Sequence, residues 1–576
     1  MGWVFGTLID NPEIAILLVI GLGSLAGRLR WRTISLGGVT GTLLVGVAVG
    51  ALVAVDTAEG TRTITVAGPV KAIFFLLFLY ALGFKLGPQF VAGLRGNGLP
   101  QAAFAAILAV VAFAVTVVLA KVLGYNPGLA AGMASGGLTQ SAIMGVAQGS
   151  IGQLSEDPQT LRTWTDLVPV AYAVTYIFGT VGTALHIAYV APRILGIRNL
   201  PEAAGELEKK LGFEDANPDV RSAYQDVVRR AYRFNTLPDG VRTAADLEKL
   251  LDERNRHSER IYVARVDRGG QVIDAELGME LRSGDTIVLT SRAVGLFGAH
   301  ISPLAEEVHD PELLDFPIED LWVTVTNREV VGYTIADLRA DPASRRIYLR
   351  GIRRAGNDVP FSSATRIDAG DQLHVQGPLP LLETAIRRLG YAERTTPDAD
   401  LVTLGLGIAA GALIGIPTVM AGEIPIGLST SVGALLAGLL LGWYRTRRPT
   451  WGKMPDALQW FLQTAGLNIF IAIVGLNSGP AFVSGLTEYG LSLFLAGAVV
   501  TILPLLIMTF AARYVFKFDP VLTLGILCGA RSATAAVGAT REAARSSVPL
   551  LGYSVPYAVA NIVLTVGGAV VVALTA

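Results

Sequence analysis

The apolar part of this chain is written twice, and that duplication restricts the fold more than any single motif does. Gly41, Gly46 and Gly50 recur as Gly433, Gly438 and Gly442. Gly83-Phe84-Lys85-Leu86-Gly87-Pro88-Gln89-Phe90 recurs as Gly475-Leu476-Asn477-Ser478-Gly479-Pro480-Ala481-Phe482, and Pro127, Gly132 and Gly136 recur as Pro520, Gly525 and Gly529. Every pair is 392 or 393 residues apart, which marks one duplication rather than scattered glycines. Duplicated membrane halves are characteristic of secondary transporters, whose sites lie where the halves meet.

The two apolar blocks, 1–197 and 399–576, flank a stretch, 198–398, with the makeup of a soluble protein. Charged residues make up 16% of the 576, against about 25% in a typical soluble chain. Mean hydropathy is +0.51. A net charge of −1 argues against nucleic acid as a partner. The single Cys528 excludes an intramolecular disulfide and fits a bacterial inner-membrane protein. Asp10 and Glu13 precede the first apolar run without a basic segment, which argues against a cleaved signal peptide.

A helical crossing needs about 20 apolar residues. Candidates are 12–28, 34–55, 68–86, 99–122 and 165–191 in the first half, and 400–419, 426–444, 457–476, 490–512 and 553–575 in the second. Between the fourth and fifth of each set lies a Gly-rich segment, 127–150 or 520–541, interrupted by small and polar residues. Arg28, Arg30 and Arg32 follow the first span, Asp56 and Glu59 the second, and Lys85 and Arg95 the third. In the second half Arg445, Arg447, Arg448 and Lys453 follow the second span, Glu488 the third, and Arg513 and Lys517 the fourth. The basic side is displaced by one span between the copies. Five crossings per half, an odd number, would invert the second copy and leave 198–398 cytoplasmic. The Gly-rich segments then read as re-entrant hairpins entering from opposite faces. The expected fold is a polytopic α-helical membrane protein of two inverted repeats, each of about five spans plus a hairpin, with an inserted α+β cytoplasmic region. The expected domains are membrane repeats at 1–197 and 399–576 and soluble units at 198–310 and 311–398.

The insert itself pairs two similar units. Glu259–Asp267 and Thr286–Leu289 read as strands of the first, with Gly284-Asp285 at a turn. Leu321–Val325, Ile347–Arg353 and Gln372–Val375 read as strands of the second, with Gly370-Asp371 at the matching turn and a closing helix at Leu379–Leu389. The first carries a helical insertion near Ala244–Asn255. Through Val325-Thr326-Asn327-Arg328-Glu329-Val330-Val331-Gly332 and Ala369-Gly370-Asp371-Gln372-Leu373-His374-Val375, the pair resembles RCK-C (TrkA C-terminal) domains. That resemblance implies either dimerisation alone or the binding of a small-molecule regulator.

Two membrane repeats around such a pair resemble the aspartate:alanine exchanger family, which includes succinate-export relatives. Its motif segments here are Gly525-Ile526-Leu527-Cys528-Gly529-Ala530-Arg531-Ser532-Ala533-Thr534 and Gly132-Met133-Ala134-Ser135-Gly136-Gly137-Leu138-Thr139-Gln140-Ser141. The resemblance implies electrogenic exchange of small amino acids or carboxylates without ATP, aspartate entering as alanine leaves.

A carboxylate at membrane depth needs donors and positive potential, and a helix broken in mid-membrane supplies both. Gly136, Ser135, Thr139, Gln140 and Ser141 in one hairpin, and Gly529, Ser532 and Thr534 in the other, have that character. The alternative is that Gly132/Gly136 and Gly525/Gly529 are small-residue helix packing. Arg531, whose repeat partner is Leu138, is a cation in a neutral segment and a candidate carboxylate contact. At a shallow tip it would instead be an ordinary cytoplasmic arginine. Lys85 and Asn477 lie in the repeated Gly-Pro segments, which suggest unwound helix ends; Lys85 reads as a span-end lysine, Asn477 and Asn468 as polar lining. In the last spans Tyr172-Ala173-Val174-Thr175-Tyr176 matches Tyr557-Ala558-Val559-Ala560-Asn561, each preceded by Pro169 or Pro556, so that Thr175, Tyr176 and Asn561 could face the tips. Asp166 and Asp519 read as span-end caps, His186 as interfacial, and Cys528 as a small packing residue and a labelling handle.

The chain has no phosphate loop, nucleophile elbow, nucleotide-binding fingerprint or Cys/His metal constellation, so an enzyme and a cofactor are not expected. A potassium filter of the Thr-Val-Gly-Tyr-Gly type is absent. Spans nearly free of Asp and Glu favour an anionic cargo over a cation antiport. The reading is a homodimeric inner-membrane exchanger for small carboxylates or acidic amino acids, its hairpin-bearing unit moving against a scaffold. An RCK-C-gated ion transporter or channel and a dicarboxylate exporter are the alternatives.

Overall fold

The computed structural model describes residues 2–576 apart from 32–33, 36, 58–59, 94–97, 155, 212–226, 256–259, 277, 328, 342–343, 345, 355–356, 360, 369, 394–398, 422–423, 428 and 449–450. Arg32, Glu59 and Arg95 of the charge pattern, Glu259 of the first insert strand, and Arg328 and Ala369 of the insert motifs lie outside the described residues. The chain forms two compact units, one of residues 1–214 with 395–576, the other of 215–394.

The first unit is helical. Its first half runs α1 (Gly2–Asp10), α2 (Pro12–Ala26), α3 (Gly38–Leu52), α4 (Gly68–Gly93), α5 (Leu99–Leu123), α6 (Pro127–Gly137), α7 (Ser141–Ile151) and α8 (Pro158–Leu185), followed by α9 (Leu200–Leu211). Its second half runs α10 (Leu401–Gly415), α11 (Ser429–Arg447), α12 (Asp456–Ala511), α13 (Pro520–Ala530), α14 (Thr534–Ala544) and α15 (Ser554–Thr575). Among the described residues, six helical stretches are long and apolar enough to cross a membrane: Gly68–Pro88, Leu99–Leu123, Pro158–Leu195, Asp456–Gly479, Phe482–Phe516 and Ser554–Thr575. They are the last three expected spans of each half. Of the first two in each half, α2, α3 and α10 are shorter than expected, with 15 residues each, about 22 Å of helix, while α11 has 19. The chain leaves the helix for two-stranded ribbons, Arg30–Trp31 with Ile34–Ser35 and Thr418–Ala421 with Ile424–Gly427. α2 is bent by 103° from the helix before it.

The repeated Gly-Pro segments are not unwound. The backbone stays helical through Gly83–Pro88 and Gly475–Pro480, which corrects the expectation of broken ends there. A proline inside a helix frees the carbonyl four residues earlier. Pro88 frees that of Phe84, and Pro480 that of Leu476. A Cβ at Gly442 of α11 would collide with the Phe84 carbonyl, and one at Gly50 of α3 with the Leu476 carbonyl. A turn earlier, Gly438 meets the Tyr80 carbonyl and Gly46 that of Ala472. Each freed carbonyl thus sits against a glycine of the other half, where only a bare Cα permits the approach. The duplication legible in the sequence is a crossed pair of backbone contacts, α4 with α11 and α12 with α3.

The second unit contains two five-stranded antiparallel sheets of one plan. With β1 (Val227–Arg233), β2 (Tyr262–Arg268), β3 (Gln271–Asp274), β4 (Thr286–Arg292) and β5 (Glu306–Val308), the first has the order β3-β2-β4-β1-β5. With β6 (Ile318–Val325), β7 (Tyr348–Arg354), β8 (Asn357–Val359), β9 (Gln372–Pro378) and β10 (Gly390–Glu393), the second has the order β8-β7-β9-β6-β10. Both expected turns are built alike. Arg268 holds Asp285 through Nε at 3.0 Å and Nη2 at 2.7 Å, and Arg354 holds Asp371 through Nε at 2.8 Å and Nη2 at 2.7 Å. The helix near 244–255 is no insertion. Ala244–Arg254 starts at a Thr243/Asp246 capping box, and the second sheet has its counterpart in Ile335–Ala340, behind a Thr334/Asp337 box. The first helix is simply the longer copy.

Candidate functional site

Each Gly-rich segment is two eleven-residue helices joined at a three-residue break, 138–140 in one half and 531–533 in the other. The starts are encoded alike. Asn126 caps α6 by accepting from Leu129 N, Asp519 caps α13 by accepting from Val521 N and Leu522 N, and a proline follows each cap. Asp519 is therefore the cap expected of it. Asp166 is not: it lies within α8, whose cap is Asp157.

The breaks are superimposable in their bonding. Gln140 N reaches Ser135 O and Ala533 N reaches Cys528 O, the wide bond of a Schellman ending, while Thr139 N bonds Gly136 O and Ser532 N bonds Gly529 O. That ending needs one left-handed residue, usually glycine. Here Thr139 (φ 55°) and Ser532 (φ 49°) occupy it. A β-substituted residue there costs about 1–2 kcal/mol. α7 and α14 then begin without a side-chain cap, which leaves backbone donors at both tips.

The glycines before the breaks are packing positions, as the alternative reading held. A Cβ at Gly132 would strike the Val168 carbonyl and one at Gly136 the Tyr172 carbonyl and Thr175; at Gly525 and Gly529 the obstacles are the Pro549 and Tyr553 carbonyls. These contacts also correct the register of the last spans. Val168 answers to Pro549 and Tyr172 to Tyr553, both 381 residues apart, so the counterpart of Tyr176 is Tyr557 and that of Asn561 is Thr180. Pairing Tyr172 with Tyr557, 385 residues apart, displaces the alignment by one helical turn.

Side chains tie the tips across the repeats. Arg531, 0% exposed, donates from Nη2 to Gly137 O at 2.6 Å and to Thr183 Oγ1 on α8 at 3.2 Å. Thr501 on α12 donates to the same Gly137 carbonyl at 3.0 Å. Arg531 Nε and Nη1 have no hydrogen-bond partner among the described residues, nor has the buried Ser532 Oγ. Arg531 is thus buried at the break and not a shallow surface arginine. On the other tip Gln140 Nε2 donates to Asn561 Oδ1 on α15 at 3.0 Å, Ser135 Oγ to Gln140 O at 2.9 Å, and Ser141 Oγ shares a hydrogen bond of 2.9 Å with Tyr172 Oη. Among the described residues Thr139 Oγ1 bonds its neighbour's carbonyl at Leu138, and Thr534 is exposed.

Asn477 is elsewhere: its Oδ1 accepts from Val66 N at 3.1 Å, and among the described residues no hydrogen bond joins it to a tip. Asn468 accepts from Thr42 Oγ1 at 3.0 Å. Thr175 bonds back to Ala171 O, and Tyr176 stacks near Tyr172 with ring centroids 5.1 Å apart. Lys85 is exposed. His186, near the end of its span, is 2% exposed, with Nε2 3.1 Å from Thr509 Oγ1. Since that hydroxyl donates to Leu505 O, His186 is the donor between them. Cys528 is buried against Thr540 Oγ1 at 3.5 Å, a packing residue and closed to a labelling reagent in this state. The sequence reading missed Thr183, Thr501 and the Gly137 carbonyl. Thr180, Thr183 and His186, on one face of one helix, were the available signal.

The residues that match a family model are the two membrane halves, 15–192 and 403–573; the model is described as a predicted permease membrane region, Asp-Al_Ex. A transporter of Shewanella oneidensis, described as uncharacterized, is 37% identical over 99% of both chains. Uncharacterized transporters of Bradyrhizobium diazoefficiens, 35% identical over 92% of this chain and 99% of their own length, and Zymomonas mobilis, 31% identical over 98% of each, are similar throughout. No solved structure matches. Fold, tips and relatives together define a multi-pass membrane transporter of the permease class, not an enzyme. The chain belongs to the Asp-Al_Ex family, the aspartate:alanine exchanger family that its motifs resemble.

Proposed function

We propose that the chain is a secondary active exchanger of small carboxylates or acidic amino acids, of the aspartate:alanine type, working by alternating access in a bacterial inner membrane. One observation carries the reading. Arg531 is a fully buried guanidinium with donors left at Nε and Nη1, set at a helix break beside the unpartnered Ser532 hydroxyl and an uncapped helix start. A buried charge is costly unless paired, and a carboxylate cargo is the pairing this tip lacks. Arg531 would hold the carboxylate, Ser532 and the amide donors of Thr534 and Ala535 would share its oxygens, and the Gln140–Asn561 pair would stand at the opposite tip with Ser141.

Burial of Arg531 implies that cargo reaches it only when the tips separate. The crossed contacts of α3, α4, α11 and α12 suit a rigid scaffold, the hairpins a moving part. We further propose that the repeats are inverted, that 198–398 lies in the cytoplasm as two RCK-C-like units in a homodimer, and that these units respond to a small molecule. No cofactor is invoked.

The test is labelled aspartate uptake into proteoliposomes preloaded with aspartate, alanine, succinate or nothing. Uptake that requires an internal substrate and is lost in Arg531→Ala is expected. Uptake into empty vesicles would replace exchange by uniport or ion coupling, and absence of uptake under every loading would remove aspartate as cargo.

A further inference from the structure

The two soluble sheets share a plan but not a filling. In the first, Leu247 and Leu251 of the eleven-residue helix Ala244–Arg254 are 0% exposed and complete the core. In the second, the matching helix Ile335–Ala340 has only six residues. A cavity of about 110 Å³ remains, floored by Leu373 and Val375 of β9 with Phe361 and Ala385. For scale, an apolar cavity of about 150 Å³ takes up benzene. Its mouth is of opposite character. Arg260 and Arg292, from the first sheet's side, stand there with Arg339, Arg388 and the Asp341 carboxylate. Arg388 pairs with that carboxylate at 2.6 Å. Arg260 and Arg292 are braced on the Arg339 and Leu349 carbonyls, and Tyr262 and Tyr348 meet edge to face at 6.2 Å beside them.

An apolar chamber with convergent polar groups at one end is the usual form of a small-ligand site. We propose that the soluble unit binds a carboxylate with an aromatic or branched apolar body, the body in the chamber and the carboxylate at Arg260 and Arg292. Guanidinium is suited to carboxylate, and the chamber is too small for a body larger than a single ring. The proposal deepens the reading of the insert as a ligand-responsive pair. It is read by binding, so the failure of aspartate exchange would leave it standing and its own failure would leave exchange standing.

The experiment titrates 4-fluorobenzoate into the detergent-solubilised full chain and follows its ¹⁹F signal, with fluorobenzyl alcohol as a probe that lacks the charge and acetate, read by its displacement of 4-fluorobenzoate, as one that lacks the body. Saturable binding of 4-fluorobenzoate is expected. It should weaken roughly tenfold or more in Arg292→Gln, the size of a lost charge-assisted hydrogen bond, and disappear in Ala385→Leu, which fills the chamber. Arg292→Gln lies at the rim and keeps the test valid if Ala385→Leu misfolds. No saturable binding, equal binding of the alcohol or of acetate, or binding undiminished in Arg292→Gln would each overturn the proposal; binding carried by the membrane unit would show itself in the last of these.

Discussion

The two hairpins have one backbone and two chemistries. Cap, proline, helix length, Schellman ending and left-handed residue agree between Pro127–Ile151 and Pro520–Ala544, yet Leu138 stands where the other has Arg531, and Gln140 where the other has Ala533. Duplication supplied a frame that presents three residues at a helix break, and the side chains were then free to diverge. The polar groups therefore do not repeat. One tip carries a buried charge, while the other carries an amide pair, Gln140 with Asn561.

The largest effect should come from erasing that asymmetry. Arg531→Ala is expected to reduce uptake by two to three orders of magnitude, since truncating a buried charge that pairs with a ligand costs about 3–5 kcal/mol. Thermal stability should not fall, because a desolvated cation leaves the fold with it. Arg531→Lys should not restore activity, as an ammonium cannot hold Gly137 and Thr183 and still present further planar donors. Uptake retained in Arg531→Ala would show the asymmetry to be structural. A fall in melting temperature matching the loss of uptake would say the same.

Against this stand the crossed contacts of α4 with α11 and α12 with α3, where the halves should behave identically. Gly50→Ala and Gly442→Ala each push a methyl group into a proline-freed carbonyl. Overpacking of this kind costs about 1–3 kcal/mol, so both should lower the unfolding temperature in detergent by similar amounts. A large difference between them would mean that the crossed contacts are not equivalent and that the symmetry of the sequence overstates that of the packing.

That symmetry was legible because glycine at a helix crossing cannot be replaced without a clash, so repeated glycines mark repeated crossings. The hairpins were legible for a related reason, Asx-Pro starts and a polar interruption. Less legible was what the glycines did. Gly-Pro in mid-span reads locally as a break, and only the neighbouring helix reveals that Pro88 and Pro480 free carbonyls for Gly442 and Gly50. The register of the last helices is misleading in sequence because Tyr172 resembles Tyr557 while its counterpart in the packing is Tyr553. Thr183 and Thr501 escaped notice because a threonine within a span commonly bonds its own backbone, as Thr501 also does with Gly497 O at 2.7 Å. Nothing local says that such a hydroxyl also meets the other half of the molecule.

The left-handed residues sharpen the comparison at a smaller scale. Thr139→Gly and Ser532→Gly both relieve a backbone strain of about 1 kcal/mol, so both should stabilise the protein or leave it unchanged in thermal unfolding. Their effects on transport should differ. Ser532 Oγ has no partner among the described residues and is the donor that the proposed exchange would offer to cargo, whereas Thr139 Oγ1 is bonded to the Leu138 carbonyl. Uptake should fall about tenfold for Ser532→Gly and little for Thr139→Gly. Equal losses would assign the hydroxyls a shared role at both tips.

The smallest expected effect lies in the soluble pair, where the copies are closest to identical. Burial alone would raise the carboxyl of Asp285, but the Arg268 fork and the Arg282 amide outweigh it and hold the group below the usual carboxylate range. A carboxylate depressed in the folded state stabilises above its unfolded value, near 3.9, and that contribution fades as pH falls through the folded value. Hydrogen exchange of Thr286–Arg292 in the full chain, corrected for intrinsic rate, should therefore be slow at pH 6 and accelerate below about pH 4. Arg268→Gln should lose roughly 1–2 kcal/mol of protection at pH 6 and flatten the acid limb, since the carboxylate no longer has a fork to lose. Arg354→Gln should cost Gln372–Pro378 a similar protection at pH 6, because the Arg354–Asp371 geometry repeats that of Arg268–Asp285 within 0.2 Å. If only one strand responds, matching geometry has concealed unequal energetics, as the hairpins show that a matching backbone can conceal unequal chemistry.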